Sequence, residues 1–136
     1  MINFNYENDF TLDNEQQLSD WIARVVAIEK CEITEINYIF CDDDYLHKLN
    51  VEFLEHDTLT DVIGFDYSIG KNLQGDIYIS TERVADNAKD LLLPFEAELQ
   101  RVIVHGILHF CGYKDKTESD AMVMTTKENE HLTRLS

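Results

Sequence analysis

Positive charge is scarce in this sequence: 11 lysines and arginines stand against 27 aspartates and glutamates, a formal net charge of −16 at pH 7 over 136 residues. That balance excludes the broad basic footprint from which most nucleic-acid binders draw their nonspecific affinity. An anionic substrate would have to meet locally basic groups or be presented by a partner, and the second is expected. Proline occurs once, as Pro94, and neither repeats, low-complexity tracts nor linkers interrupt the chain, so a single domain over residues 1–136 is expected. No apolar run approaches the ~20 residues needed to span a bilayer. Met1-Ile2-Asn3-Phe4 lacks the basic region and apolar core of a secretion signal. The three cysteines, Cys31, Cys41 and Cys111, form no close-spaced pair and cannot all pair within one chain, which suits a reducing, cytoplasmic setting.

Hydrophobic residues at 44% and charged residues at 28% describe an ordinary globular protein, long enough to bury a core without covalent staples. Ile2, Phe4 and Tyr6 alternate with asparagines and predict a half-buried strand. Leu18, Trp21, Ile22, Val25 and Val26 recur at helical spacing behind an Asp13/Gln16 capping box. Ile36, Tyr38 and Phe40 predict a second strand. It runs into Asp42-Asp43-Asp44, three acids read as the N-terminal cap of a helix carrying Tyr45, Leu46, Leu49 and Phe53 on one stripe. Residues 60–67 and 76–80 read as strands joined by a turn-rich link over 68–75. Ser80 or Thr81 caps a helix through about Leu92, Pro94 starts another, and Thr117 with Asp120 opens the last. His47 and His131 read as exposed helix residues, and His56 as a loop residue with a substrate role left open. The sum is an α+β fold, a small mixed sheet of about four strands packed with about five helices.

The chemistry concentrates in residues 101–115. His105 and His109, four apart, stand on one helix face because a 3.6-residue period almost aligns i and i+4. Apart from them and Gly106, residues 102–111 are apolar, so this helix should be the central one. Imidazoles buried there need partners, since an unpaired polar group away from water costs about 1–3 kcal/mol. One metal ion would satisfy both. Gly112 sits where a left-handed residue ends a helix, turning the chain back and delivering Asp115. Two imidazoles and a carboxylate, with a fourth position left for water, are the donor set of a catalytic zinc. A carboxylate among the ligands adds negative charge and widens the choice toward harder divalent metals. Gly106 stands where zinc peptidases carry their glutamate base, so that chemistry is not expected; a glycine allows close packing or room over the metal. Cys111, about 200° around the helix from His109, points away as a small core residue.

His105-Gly106-Ile107-Leu108-His109-Phe110-Cys111-Gly112-Tyr113 resembles the signature of the YbeY family of bacterial endoribonucleases and rRNA maturation factors. Leu49-Asn50, Thr60-Asp61-Val62-Ile63-Gly64-Phe65 and Gly75-Asp76-Ile77-Tyr78-Ile79 resemble further family segments, so the resemblance covers most of the chain. It implies an α+β fold, zinc on the helix, cleavage of single-stranded RNA and work on the 3′ end of small-subunit rRNA, in the setting of the small ribosomal subunit and its proteins. Two positions depart from the family: Asp115 replaces its third histidine, and Leu54 replaces an arginine suited to phosphate. Lys114 and Lys116 flank Asp115 and supply some positive charge. The resemblance puts Asp61 near the cleft, as a group orienting substrate or a ligand histidine, or as a turn cap. Asp61 and Glu118 are the acids available as general base beside an activated water. The alternatives are a ribosome-assembly factor with a structural metal and little catalytic activity, and a hydrolase of another ester or amide.

Overall fold

The computed structural model describes residues 1–55 and 60–135. His56 therefore lies outside the described residues. The elements follow as β1 (Ile2–Tyr6), α1 (Glu15–Ile28), β2 (Glu32–Cys41), α2 (Asp43–Leu54), β3 (Val62–Asp66), β4 (Asn72–Ser80), α3 (Thr81–Asp90), α4 (Phe95–Phe110) and α5 (Glu118–Leu132). The four strands form one mixed sheet in the order β1-β2-β4-β3, parallel between β1, β2 and β4 and antiparallel between β4 and β3. The expected α+β class holds, with strand order added.

Strand alternation decides which face is the core. Ile36, Tyr38 and Phe40 of β2 and Leu73, Ile77 and Ile79 of β4 point to one side, where they join Leu18, Trp21, Ile22 and Val25 of α1 and the apolar residues of α4. Tyr38 is wholly buried, and its hydroxyl is satisfied by the Ile103 carbonyl at 3.0 Å, pinning α4 to the middle of the sheet. On the other face a polar ladder crosses β1, β2 and β4, in which Asn3 donates to Asn37 and Asn37 to Asp76. The half formed by β3 and β4 is covered by α2 through a small cluster of Cys41, Leu46 and Ile63.

α4 contacts α1, α3, α5, β3 and β4, and is central as its composition predicts. Gly106 is the condition for this: a Cβ there would stand 2.9 Å from Cγ2 of Ile77, closer than real contacts allow. Close packing against the sheet is one of the two uses open to this glycine, and it is seen.

Several local expectations need correction. α1 begins after Asn14, whose side chain makes no cap bond and donates instead to Gln17, so the Asp13/Gln16 box does not form. β4 starts at Asn72, four residues before the expected start. The turn occupies only residues 67–71, closed by reciprocal bonds between Ile69 and Asn72 with Gly70 at φ 59°. α3 ends at Asp90. The caps at Asp42, Ser80 and Thr117 each accept a backbone N–H three residues on, as expected. His47 is half-buried and not exposed. His131 is fully buried: the α5 face bearing Met124, Glu128 and His131 turns inward, and the His131 carbonyl accepts the Trp21 indole N–H at 2.9 Å.

Gly106→Val forces its added methyls into Ile77. We expect a loss of about 1–3 kcal/mol, seen as a lower urea midpoint with an unchanged slope.

Candidate metal centre

The centre is built by the last turn of α4 and the bend that follows it. α4 closes with two bonds, Tyr113 N–H to the Leu108 carbonyl at 3.1 Å and Gly112 N–H to the His109 carbonyl at 3.0 Å, with Gly112 at φ 108°. This is a Schellman turn, and it needs the conformational freedom of glycine at that step. The reversal brings Asp115 back over the histidine face. His105, His109 and Asp115, read from spacing as ligands, do come together, and they are the one set of three potential metal ligands whose donor atoms converge among the described residues.

The geometry of the donors is specific. Nε2 of His105 and Nε2 of His109 are 3.0 Å apart, and each is 3.4 Å from Oδ2 of Asp115. Ligands about 2.0–2.1 Å from a tetrahedral ion stand about 3.3–3.4 Å from one another, so the triangle has nearly the edges a zinc-sized ion requires. Tautomers follow from the other ring atoms. Nδ1 of His109 faces the Tyr113 carbonyl at 3.0 Å, and Nδ1 of His105 faces a Glu128 oxygen at 2.6 Å. Both partners are acceptors, so each Nδ1 carries the hydrogen and each Nε2 presents a lone pair. With both rings neutral, three lone pairs meet at one point, an arrangement that a metal ion can join. The residues present fit a divalent metal ion.

A further layer holds these ligands. Glu128 of α5, only 6% exposed, accepts from His105 with one oxygen and from Arg101 with the other at 2.9 Å. Behind His109, the Tyr113 hydroxyl donates to Glu29 at 2.6 Å, and the second Glu29 oxygen meets Nε2 of buried His131 at 2.7 Å. Burial raises the Glu29 pKa, but the bonds from Tyr113 and His131 and the charge of Lys127 outweigh it and hold the carboxyl below its usual value. Burial lowers the His105 pKa, yet the hydrogen bond and charge of Glu128, with Asp115 and Asp61 adding to them, raise it overall. Sequence reasoning misses Glu29, Glu128 and His131 as site residues. The period linking Met124, Glu128 and His131 on one face of α5 is the signal for the last two, and Glu29, at the end of α1, has none.

The centre opens into a cleft of about 620 Å³ between β3 and α4, lined also by Asn50, Leu54, Asp61, Asp66 and Lys116. Asp61 stands at the start of β3, where its carboxylate receives the Asn87 amide at 3.4 Å. Burial and the Glu128 charge raise its pKa against the opposing pull of His105 and of backbone N–H groups. Glu98, two turns before His105 on α4, is buried with Oε1 lacking a hydrogen-bond partner among the described residues, and its pKa is raised by burial and by Asp61. Lys116 lines the cleft; Lys114 and Glu118 are exposed and do not. Cys111 is half-buried against the core, facing Cys31.

Glu128→Gln keeps the shape and an acceptor for Arg101 but removes the carboxylate behind His105, and should weaken zinc binding about 10–100-fold in competition with a chromophoric chelator. The metal-free protein carries a second signature. His105 has a folded-state pKa above its unfolded value, so its contribution to stability is complete below the unfolded pKa and is lost as pH rises through the folded one. Urea titrations from pH 6 upward should show that decline in the metal-free wild type and a smaller one in Glu128→Gln.

Comparison with known proteins agrees with this architecture. The family model described as Endoribonuclease YbeY matches residues 2–136. A protein named Endoribonuclease YbeY from Flavobacterium johnsoniae is 61% identical over 132 residues, 97% of this chain and 95% of its own. One of the same name from Christiangramia forsetii is 55% identical over 131 residues, covering 96% and 92%. The solution structure of TM1509 from Thermotoga maritima superposes with a TM-score of 0.74 at 28% identity, over 99% of this chain and 89% of that one. A family match over nearly the full length, relatives at this identity and the same fold leave one assignment: the chain belongs to the YbeY family.

Proposed function

We propose that this chain is a metal-dependent endoribonuclease specific for single-stranded RNA, acting in the cytoplasm on the 3′ end of small-subunit rRNA and in ribosome quality control. The observation that carries the reading is the triangle of His105, His109 and Asp115, at 3.0–3.4 Å, opening on a cleft. Family membership supplies the substrate class, since the matching relatives are named endoribonucleases. Zinc suits the two imidazoles, and Asp115 makes manganese or magnesium acceptable in its place.

Such an ion, when bound, supplies a water of lowered pKa and a Lewis acid for a phosphoryl oxygen. The chain supplies orientation. Glu128 and the Tyr113 carbonyl hold the two imidazoles in the tautomer that presents Nε2, and Glu29 with His131 fixes Tyr113 in turn. Asp61, with its raised pKa and its place in the cleft wall, is the group we assign to take or give a proton beside the scissile phosphate. Lys116 is the cationic side chain available there to meet a phosphate, since Leu54 cannot.

A second reading is favoured by Leu54 and by the acids of the cleft: a ribosome-assembly factor whose metal is structural and whose cleavage is feeble. In both readings the small ribosomal subunit and its proteins are the partners, and a partner presents the RNA that a −16 protein binds weakly when free.

Cleavage of a labelled single-stranded RNA by zinc-loaded protein, beside His109→Ala purified identically, separates them. Wild type should cut, with chelation abolishing activity and zinc or manganese restoring it, and His109→Ala should lose at least about 100-fold. Equal activity in the two proteins would remove the nuclease reading, and inactivity in both would favour the assembly factor.

A further inference from the structure

β3 is an outer strand of the sheet, and its register shows where its backbone groups point. The Asp61 carbonyl accepts from Ser80 N–H at 2.9 Å and Tyr67 N–H donates to the Gln74 carbonyl at 2.8 Å; between them, Ile63 pairs with Tyr78 and Phe65 with Asp76. In an antiparallel ladder the hydrogen-bonded positions alternate, so the odd-numbered residues of β3 bond to β4 and Val62, Gly64 and Asp66 turn their N–H and C=O outward. Val62 is engaged locally, its carbonyl by the Thr60 hydroxyl and its N–H by the Asp61 carboxylate. The backbone groups of Gly64 and Asp66 have no partner among the described residues, and both residues are exposed.

The same edge is one wall of the cleft. Such a row of free donors and acceptors is a template for an added strand. Charge decides what kind of strand. Of the charged side chains lining the cleft, Asp61, Asp66 and Asp115 are acidic and Lys116 alone is basic, within a chain of net charge −16. A bound dication offsets two of those charges and no more. A phosphodiester chain laid along this wall would bring one negative charge per nucleotide toward Asp66. A lysine- or arginine-rich polypeptide brings the opposite sign, and backbone groups at the two-residue repeat of about 6.8 Å that separates Gly64 from Asp66.

We propose that the outer edge of β3 binds an extended, basic polypeptide segment by strand addition, through the backbone groups of Gly64 and Asp66. This binding function goes beyond the nuclease reading and uses a wall of the same cleft, so peptide and RNA would compete for it; a protein that takes the peptide and cuts no RNA leaves the proposal standing, and the converse leaves the nuclease standing.

The probe is a blocked heptapeptide of alternating lysine and valine, titrated into the full-length protein with and without zinc. Binding is followed by fluorescence anisotropy, and exchange of the Gly64 and Asp66 amides by NMR. We expect binding in both metal states, weakening with salt, with those two amides slowed about tenfold or more. N-methylation of one alternate set of peptide nitrogens, which removes donors and leaves the charge intact, should abolish binding; methylation of the other set should change it less than threefold. A glutamate-valine peptide should not bind. The proposal is overturned if both methylated peptides bind as well as the parent, if neither amide is protected, or if oligouridylate protects Gly64 and Asp66 where the peptide does not.

Discussion

Two imidazole nitrogens 3.0 Å apart, each 3.4 Å from the same carboxylate oxygen, form a triangle of donors that one cation can join. Holding that triangle in place is the constraint to which much of this structure answers. Each ring is fixed from behind, His105 by Glu128 and His109 by the Tyr113 carbonyl. Those partners need support of their own, from Arg101, Glu29 and His131. The apolar length of α4, pinned to the sheet by Tyr38 and seated on Ile77 through Gly106, is the rigid base on which the arrangement rests.

The two sides of the centre are anchored to different parts of the chain. Glu128 and His131 both come from α5, while Glu29 closes α1 more than a hundred residues before His131. α5 is thus a clamp on α4, and the polar residues of its inward face meet polar partners, Glu128 meeting His105 and Arg101, and His131 meeting Glu29. That explains why α5 has so mixed a pattern along its sequence and why His131 is buried although its surroundings in the chain are hydrophilic. Buried acids behind a metal site also favour bound cations generally. The same feature weakens the attraction of the cleft for phosphate.

Much of the fold could be read along the chain. Alternation in β1 and β2, the caps at Asp42, Ser80 and Thr117 and the apolar face of α1 are local patterns with local causes, and all appear in the structure. The Asp13/Gln16 box failed because the chain enters α1 one residue later and Asn14 bonds to Gln17. The early start of β4 was hidden by Asn72 and Gly75, residues of poor strand propensity that pairing with β2 and β3 carries into the sheet.

The sequence by itself determined the convergence of His105, His109 and Asp115. A four-residue histidine spacing, a glycine that permits the left-handed step, and an acid three residues later bring three donors together by helix and turn geometry alone, with no distant contact required. Only the tertiary structure decided the rest: which tautomer each histidine holds, that Glu128 rather than Asp61 backs His105, and that β3 lies at the edge with its free backbone groups facing the cleft. Those depend on residues tens of positions apart meeting across packed elements, and hydrophobic periodicity, which reports only which face of an element is buried, carries no information about which polar partner waits on the other side.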